Sequence, residues 1–217
     1  YIFSDIYGKK TDAYQSIVYA LRSGSLSRGE IALSAGLADS GVLTAYLKDL
    51  ELGGFIKRSP TWSLKTGKVS KLSRYRLKDN YTRFYLKYIL PNKNNIEEGL
   101  FSDAPLANLR GWNSMIGLQF ENLVCNNMLL LLESIGIAYQ DVVFANPYFQ
   151  RKTARQDALQ IDYLIQVKQD TVYLCEVKFR RSTIDTSVIK EVQDKARRLA
   201  LPKHTSIRFV LVHVRTN

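Results

Sequence analysis

Apolar residues fall at helical spacing three times in the first fifty positions. Tyr14, Ile17, Val18 and Leu21 form one stripe, with Gly24 as its stop. A second short helix is predicted from about Ser27 to Ala35, opened by the capping box Ser27-x-x-Glu30 and closed by Gly36. A third begins at Asp39 or Ser40 and runs through Val42, Leu43, Tyr46, Leu47 and Leu50 to Gly53-Gly54. The pattern then changes to short alternating runs. Residues 55–58 and 75–78 read as two strands joined by a glycine-containing connection. Residues 80–90 are aromatic and helical in tendency, with Tyr81, Phe84, Tyr85 and Tyr88 on one side, and Pro91 ends them.

The second half carries the same two kinds of pattern in a different order. A long helix is expected over residues 115–133, with Gly136 just beyond it. Residues 137–144 read as a strand, and Asn146-Pro147 as a turn. Residues 150–156 are a polar, basic approach to the next strand. Residues 160–180 are two apolar, alternating runs around the polar turn Lys168-Gln169-Asp170, which predicts a β-hairpin. Residues 184–201 carry a helical stripe of Ile184, Val188, Val192, Ala196 and Leu199, stopped by Pro202. Residues 206–214 are β-branched and read as a buried strand. The predicted order is helix, three strands, helix, strand. Residues 1–90 and 113–217 are therefore expected as two domains, with 91–112 as a linker.

Charge adds a partner class. The net charge is +11 in 217 residues, which favours a polyanion such as DNA. The eight basic residues from Lys57 to Lys78 have no acidic residue among them, and such a run neutralises phosphates through counterion release. No apolar stretch approaches the roughly 20 residues that cross a bilayer, so no membrane partner is expected. Cys125 and Cys175 lie in apolar runs and read as free thiols. With no secretory leader visible, a reducing, cytoplasmic setting is expected. The chain opens Tyr-Ile-Phe rather than on Met, which reads as a segment of a longer protein.

The candidate chemistry sits in the central hairpin. Asp162 is near the start of its first strand, and Glu176 and Lys178 are two apart on the second, hence on one face. This D…E-x-K order resembles the signature of the PD-(D/E)XK nuclease superfamily, and the helix–three strands–helix–strand order is similar to its common core. The resemblance implies an α+β protein whose C-terminal domain, restriction-endonuclease-like, hydrolyses phosphodiesters with Mg²⁺ or Mn²⁺. It implies Asp162, Glu176 and the backbone carbonyl of Val177 as metal ligands, Glu121 as a further ligand, Lys178 at the nucleophile, and Gln193 as an orienting group. Oxygen ligands suit such hard cations.

The first half, with its phrase L-x-x-L-x-x-x-G-F-I-x-R from Leu47 to Arg58, resembles winged helix-turn-helix domains. That implies DNA contact by Ser40, Thr44 and Lys48 on the third helix, and by Lys57, Arg58, Lys65, Lys68 and Lys71 on the wing. None of the helix residues is a strong base reader, so specificity is expected to be weak or shape-based. "GGFIKR", "YRLKDNYTRFYLKYI", "GLQFENLV" and "QIDYLIQ…VYLCEVKF" together resemble the C-terminal region of a family of prokaryotic AAA+ ATPases. This implies an ATPase domain of the same parent protein as a partner. No G-x-x-x-x-G-K-[ST] loop occurs here, so no ATP site is expected in these residues. Three readings stay open: a metal-dependent DNA endonuclease, an inactive DNA-binding or regulatory module of the ATPase, and a protein-interaction module. An ion-pair patch of Asp162, Glu176 and Lys178 on the surface would contribute under about 1 kcal/mol.

Overall fold

A computed structural model describes residues 11–101, 105–154, 156–180 and 185–214. Ile184, expected in the last helical stripe, and Arg155, expected in the basic approach, lie outside them. The chain is α+β and divides into two compact units: Tyr1–Arg58 with Ser73–Gln119, and Ser59–Leu72 with Phe120–Asn217.

In the first unit, α1 (Thr11–Ala20) turns Tyr14, Ile17 and Val18 inward. Strand β1 is only Leu26–Ser27. Ser27 then caps α2 (Arg28–Ala35) with both bonds of the capping box in place. Gly36, at φ 65°, takes the left-handed conformation that returns its N–H to the last carbonyls of α2. Helix α3 (Gly41–Leu52) buries Leu43, Leu47 and Leu50. Strands β2 (Ile56–Trp62) and β3 (Val69–Leu77) follow, and the sheet order is β1-β3-β2. Ile56 and Leu77 close a core with the three helices.

Asp79 caps α4 (Asn80–Phe84), which continues into a π-helical turn, Tyr85–Ile89. The stretch expected as a linker is instead partly helical: Leu90–Asn92 and Leu106–Asn108 are 3-10 turns and α5 is Lys93–Glu97. Its far end is tied back to the aromatic segment. Lys87 Nζ donates to the Gly111 carbonyl at 2.9 Å and the Tyr88 hydroxyl to the Arg110 carbonyl at 3.2 Å. The Trp112 ring meets Phe84 and Tyr88. Asn80 and Gln119 exchange amide bonds with each other's backbone carbonyls.

The expected long helix over residues 115–133 is two helices, α6 (Trp112–Asn126) and α7 (Met128–Ser134), bent by 81°. Asn127 causes the break. Its backbone leaves the helical region, and its side-chain amide donates to the Leu123 carbonyl at 2.7 Å. Among the described residues no single helix is long and apolar enough to cross a membrane.

The sheet of the second unit has the order β4-β5-β6-β7, formed by Val142–Gln150, Leu159–Val167, Thr171–Lys178 and Ser206–His213. The first three strands are antiparallel, and β7 pairs parallel to β6 after the crossover helix α8 (Thr186–Arg198). The expected strand at 137–144 starts later and runs further. A 3-10 turn occupies Tyr139–Asp141, and β4 passes straight through Asn146-Pro147. Helical residues cover both faces. Val124, Leu131 and Leu132 pack on Tyr163, Ile165, Cys175 and Val177. Val188, Val192 and Leu199 pack on Ile161, Leu164, Val172 and Leu174.

The outer half of the β2–β3 hairpin belongs to this second core. Trp62 and Leu64 are buried in it, and the Trp62 ring lies against Phe144 and Tyr148. The Thr61 hydroxyl donates to the Phe149 carbonyl at 2.8 Å. This corrects the expected boundary, which put the whole hairpin in the first domain. Long-range packing of two bulky apolar residues decides the matter, not their neighbours in sequence.

Candidate functional site

The β5–β6 hairpin pairs Tyr163 with Cys175 and Leu164 with Leu174, so Asp162 stands beside Glu176. Its neighbours on β4 explain its orientation. Asn146 pairs with Leu164 and Tyr148 with Ile161, two steps on β4 against three on β5. The extra residue is a β-bulge over Asp162 and Tyr163. Strand alternation breaks there: Ile161 and Leu164 belong to the α8 side of the sheet and Tyr163 and Ile165 to the other. Bulges re-aim side chains, and this one presents Asp162 to β6. Its Oδ2 accepts the Val177 N–H at 2.8 Å.

Glu176 is 1% exposed. A charge buried to that degree must be paired. Lys178 Nζ lies 2.8 Å from its Oε1, and Lys195 Nζ lies 2.6 Å from its Oε2. Glu191 completes the network, 3.2 Å from each lysine. Helical spacing puts Glu191 and Lys195 one turn apart on α8.

The electrostatics follow from this packing. Burial, then the Glu176 carboxylate, pushes Asp162 up to about 6, against the opposing pull of the Val177 N–H, Lys195 and Lys178. Burial works against the ammonium of Lys195, yet its contacts with Glu176 and Asp162 hold its pKa above the ordinary value. Lys178 behaves in the same way through Glu176 and Glu191. Glu191 is lowered despite its own desolvation, because both lysines face it. Beneath the site, burial and then Asp162 push the Cys175 thiol up to about 12, which keeps it in the unreactive thiol form. Neither Cys175 nor the half-buried Cys125 is in a disulfide.

Asp162, Glu176 and Lys178 are thus brought together as the hairpin spacing predicts. Two other expectations differ. Gln193 is exposed on α8, and the α8 residue that reaches the carboxylates is Lys195, two positions on and therefore on the opposite side of the helix. The signal was present in the sequence as Glu191 and Lys195, an i,i+4 pair adjoining the apolar stripe. Glu121, half-buried on α6, is on the helix that packs against the other face of the sheet. Its neighbour Phe120 meets Phe179, the residue after Lys178, with ring centroids 5.8 Å apart. Among the described residues no group of three acidic, histidine or cysteine side chains converges as a metal cage. The donor chemistry that is present is a neighbouring pair of carboxylates, with Asp162 raised by burial and by Glu176, and oxygen donors of this kind suit a hard cation.

The candidate DNA contacts fall into two groups. Ser40 is the N-cap residue of α3, and Thr44 and Lys48 follow at one-turn intervals on its exposed side. The Thr44 hydroxyl accepts from Arg28 at 2.9 Å, and Arg28 also pairs with Asp39 at 2.7 Å. Arg28 was not foreseen. Lys57 and Arg58 are exposed on β2, with Arg58 Nε held to the Ser73 hydroxyl at 2.8 Å. These residues belong to the first unit, whereas Lys65, Lys68 and Lys71, also exposed, belong to the second.

No protein-family model matches the chain. Among curated proteins, the uncharacterized protein MJECL04 of Methanocaldococcus jannaschii is 38% identical over 112 residues, covering 51% of this chain and 24% of that protein. The chain therefore spans about a quarter of the length of the curated relative it matches. Among solved structures, FabT of Streptococcus pneumoniae in complex with DNA aligns with a TM-score of 0.30 and 14% identity, over 62% of this chain and 86% of that one. A likeness of that degree assigns neither a fold family nor a ligand.

Proposed function

We propose that this chain is a DNA-binding, nuclease-like region of a prokaryotic AAA+ ATPase, with a winged helix-turn-helix in the first unit and a PD-(D/E)XK domain in the second. The observation that carries the reading is Asp162 set against Glu176 and the Val177 N–H by a bulge, with Lys178 on Glu176. The helix–three strands–helix–strand order around it, with a parallel last strand, supports the same reading. The helix triplet followed by a hairpin, together with the +11 charge, supports DNA as the partner.

In this reading Asp162 and Glu176, with the Val177 carbonyl, would hold Mg²⁺ or Mn²⁺, without Glu121, whose helix packs on the other face of the sheet. The cation supplies charge stabilisation at the phosphate and a more acidic bound water. Lys178 orients the attacking water or carries charge on the phosphate oxygen. The β5 bulge keeps Asp162 aimed, and the Val177 N–H fixes one of its two oxygens. The test is cleavage of plasmid DNA with Mg²⁺ or Mn²⁺. Wild type is expected to cut, with Asp162→Asn and Lys178→Met slower by at least about a hundredfold. Wild type that binds DNA but leaves it intact with either metal would overturn the enzyme reading.

A second reading has its own support. Both oxygens of Glu176 already face a lysine. A site satisfied in this way suits a domain that retains the fold and binds DNA without cutting it. Supplying the ATPase region of the parent protein in the same assay separates a gated enzyme from an inactive module.

A further inference from the structure

Lys195 is a half-buried cation at a place where the proposed chemistry needs a different one. Its side chain is 13% exposed and its Nζ is 2.6 Å from Glu176 Oε2, while its charge also acts on Asp162. One carboxylate that would hold a metal is therefore already ion-paired with this ammonium, and the other lies within its field. Glu191, on the same helix, offers that ammonium a second anion at 3.2 Å, and Glu191 itself is exposed. The lysine has an exit: it can keep one ion pair while giving up the other. Lys178 differs, because it pairs with the other Glu176 oxygen, Oε1, and is more open to solvent at 22%. Two like carboxylates side by side repel, and an unpaired buried carboxylate is costly. Something positive must hold them together when no metal is bound.

We propose that the Lys195 ammonium is the resident cation of the Asp162–Glu176 pair, keeping the two carboxylates together and yielding its place to a divalent cation by swinging toward Glu191. This rests on the reading of that pair as a metal site, and the two can fail separately. The lysine competes with the metal for the same oxygens, so removing it strengthens metal binding even though it weakens the metal-free fold.

The experiment is calorimetric titration of Mn²⁺ into the intact chain, without DNA, for wild type, Lys195→Met, Lys195→Gln and Asp162→Asn. Both Lys195 variants are expected to bind Mn²⁺ at least about tenfold more tightly than wild type, and Asp162→Asn to lose binding. Thermal melting checks the fold: the Lys195 variants melt below wild type without metal, and Mn²⁺ raises their melting temperature by more than it raises that of wild type. Amine-labelling of wild type gives a third readout, with Lys195 becoming several-fold more reactive when Mg²⁺ is added and Lys178 changing less. Unchanged or weaker Mn²⁺ affinity in folded Lys195 variants, with binding still dependent on Asp162, overturns the displacement and leaves the metal site standing. Failure of wild type and both Lys195 variants to bind Mn²⁺ overturns the metal site and the displacement together.

Discussion

The Trp62 indole N–H donates to Gln166 Oε1 at 2.7 Å, and the Gln166 amide donates in return to the Leu64 carbonyl at 3.0 Å. Two residues about a hundred positions apart thereby lock a hairpin tip onto the sheet that carries Asp162. Trp62→Phe keeps most of the ring packing but strands the Gln166 oxygen. It is expected to cost about 1–3 kcal/mol, and Trp62→Ala about 3–5 kcal/mol. Urea denaturation followed by circular dichroism measures both. A piece starting at residue 113 lacks Trp62 and Leu64 altogether and is expected to unfold at lower urea than the full chain.

Asp162 gives a pH signature of unusual sign. Its folded pKa of about 6 lies above the ordinary 3.8. Between those values the folded protein holds a proton that the unfolded chain has lost, so this group's contribution to stability falls as pH rises from about 4 to about 6. Asp162→Asn removes that dependence. Without metal, the variant is expected to match wild type near pH 4 and to become the more stable of the two above pH 6. Denaturation midpoints across that range, with a chelator present, provide the check.

The basic residues of the hairpin can be counted by salt. If Lys65, Lys68 and Lys71 each meet a phosphate, replacing all three with Ala lowers the slope of log affinity against log salt by about 2.7 on duplex DNA. Thr44→Ala is expected to leave the slope unchanged, since it removes no charge. Fluorescence anisotropy at several salt concentrations distinguishes these outcomes.

Ser27 tests the capping box of α2. Its hydroxyl takes the Glu30 N–H, and Glu30 Oε2 takes the Ser27 N–H at 2.6 Å while pairing with Arg74 at 3.3 Å. Ser27→Ala is expected to cost about 1 kcal/mol, read as a lower denaturation midpoint with unchanged DNA-binding slope.

Local patterns made much of this architecture legible. Helical stripes located α1 and α3, the Ser27–Glu30 spacing located α2, and alternation around Lys168–Asp170 located the β5–β6 hairpin. The Glu176–Lys178 pair followed from strand period alone. Other features depend on partners distant in sequence. The bulge that aims Asp162 arises from a register mismatch with β4. Trp62 joins a core built mostly from residues after 140. The break at Asn127 falls on the polar pair Asn126-Asn127 between two apolar runs, and because helical spacing continues across it, periodicity alone does not show the bend. The family resemblance points to Gln193, whereas the face of α8 that meets the sheet carries Lys195.

The parallel partnership of β6 and β7 also bears on how a nascent chain is completed. β6 carries Glu176 and Lys178 and emerges from the ribosome before α8 and β7 do. Until β7 arrives, β6 is an open sheet edge, the kind of surface on which unfinished chains stick to one another. Glu176 and Lys178 pair with opposite charge within their own strand, and charges on an open edge discourage edge-to-edge pairing. The strand that marks the candidate site is thus the one whose open edge is covered only when the last strand of the sheet has been made.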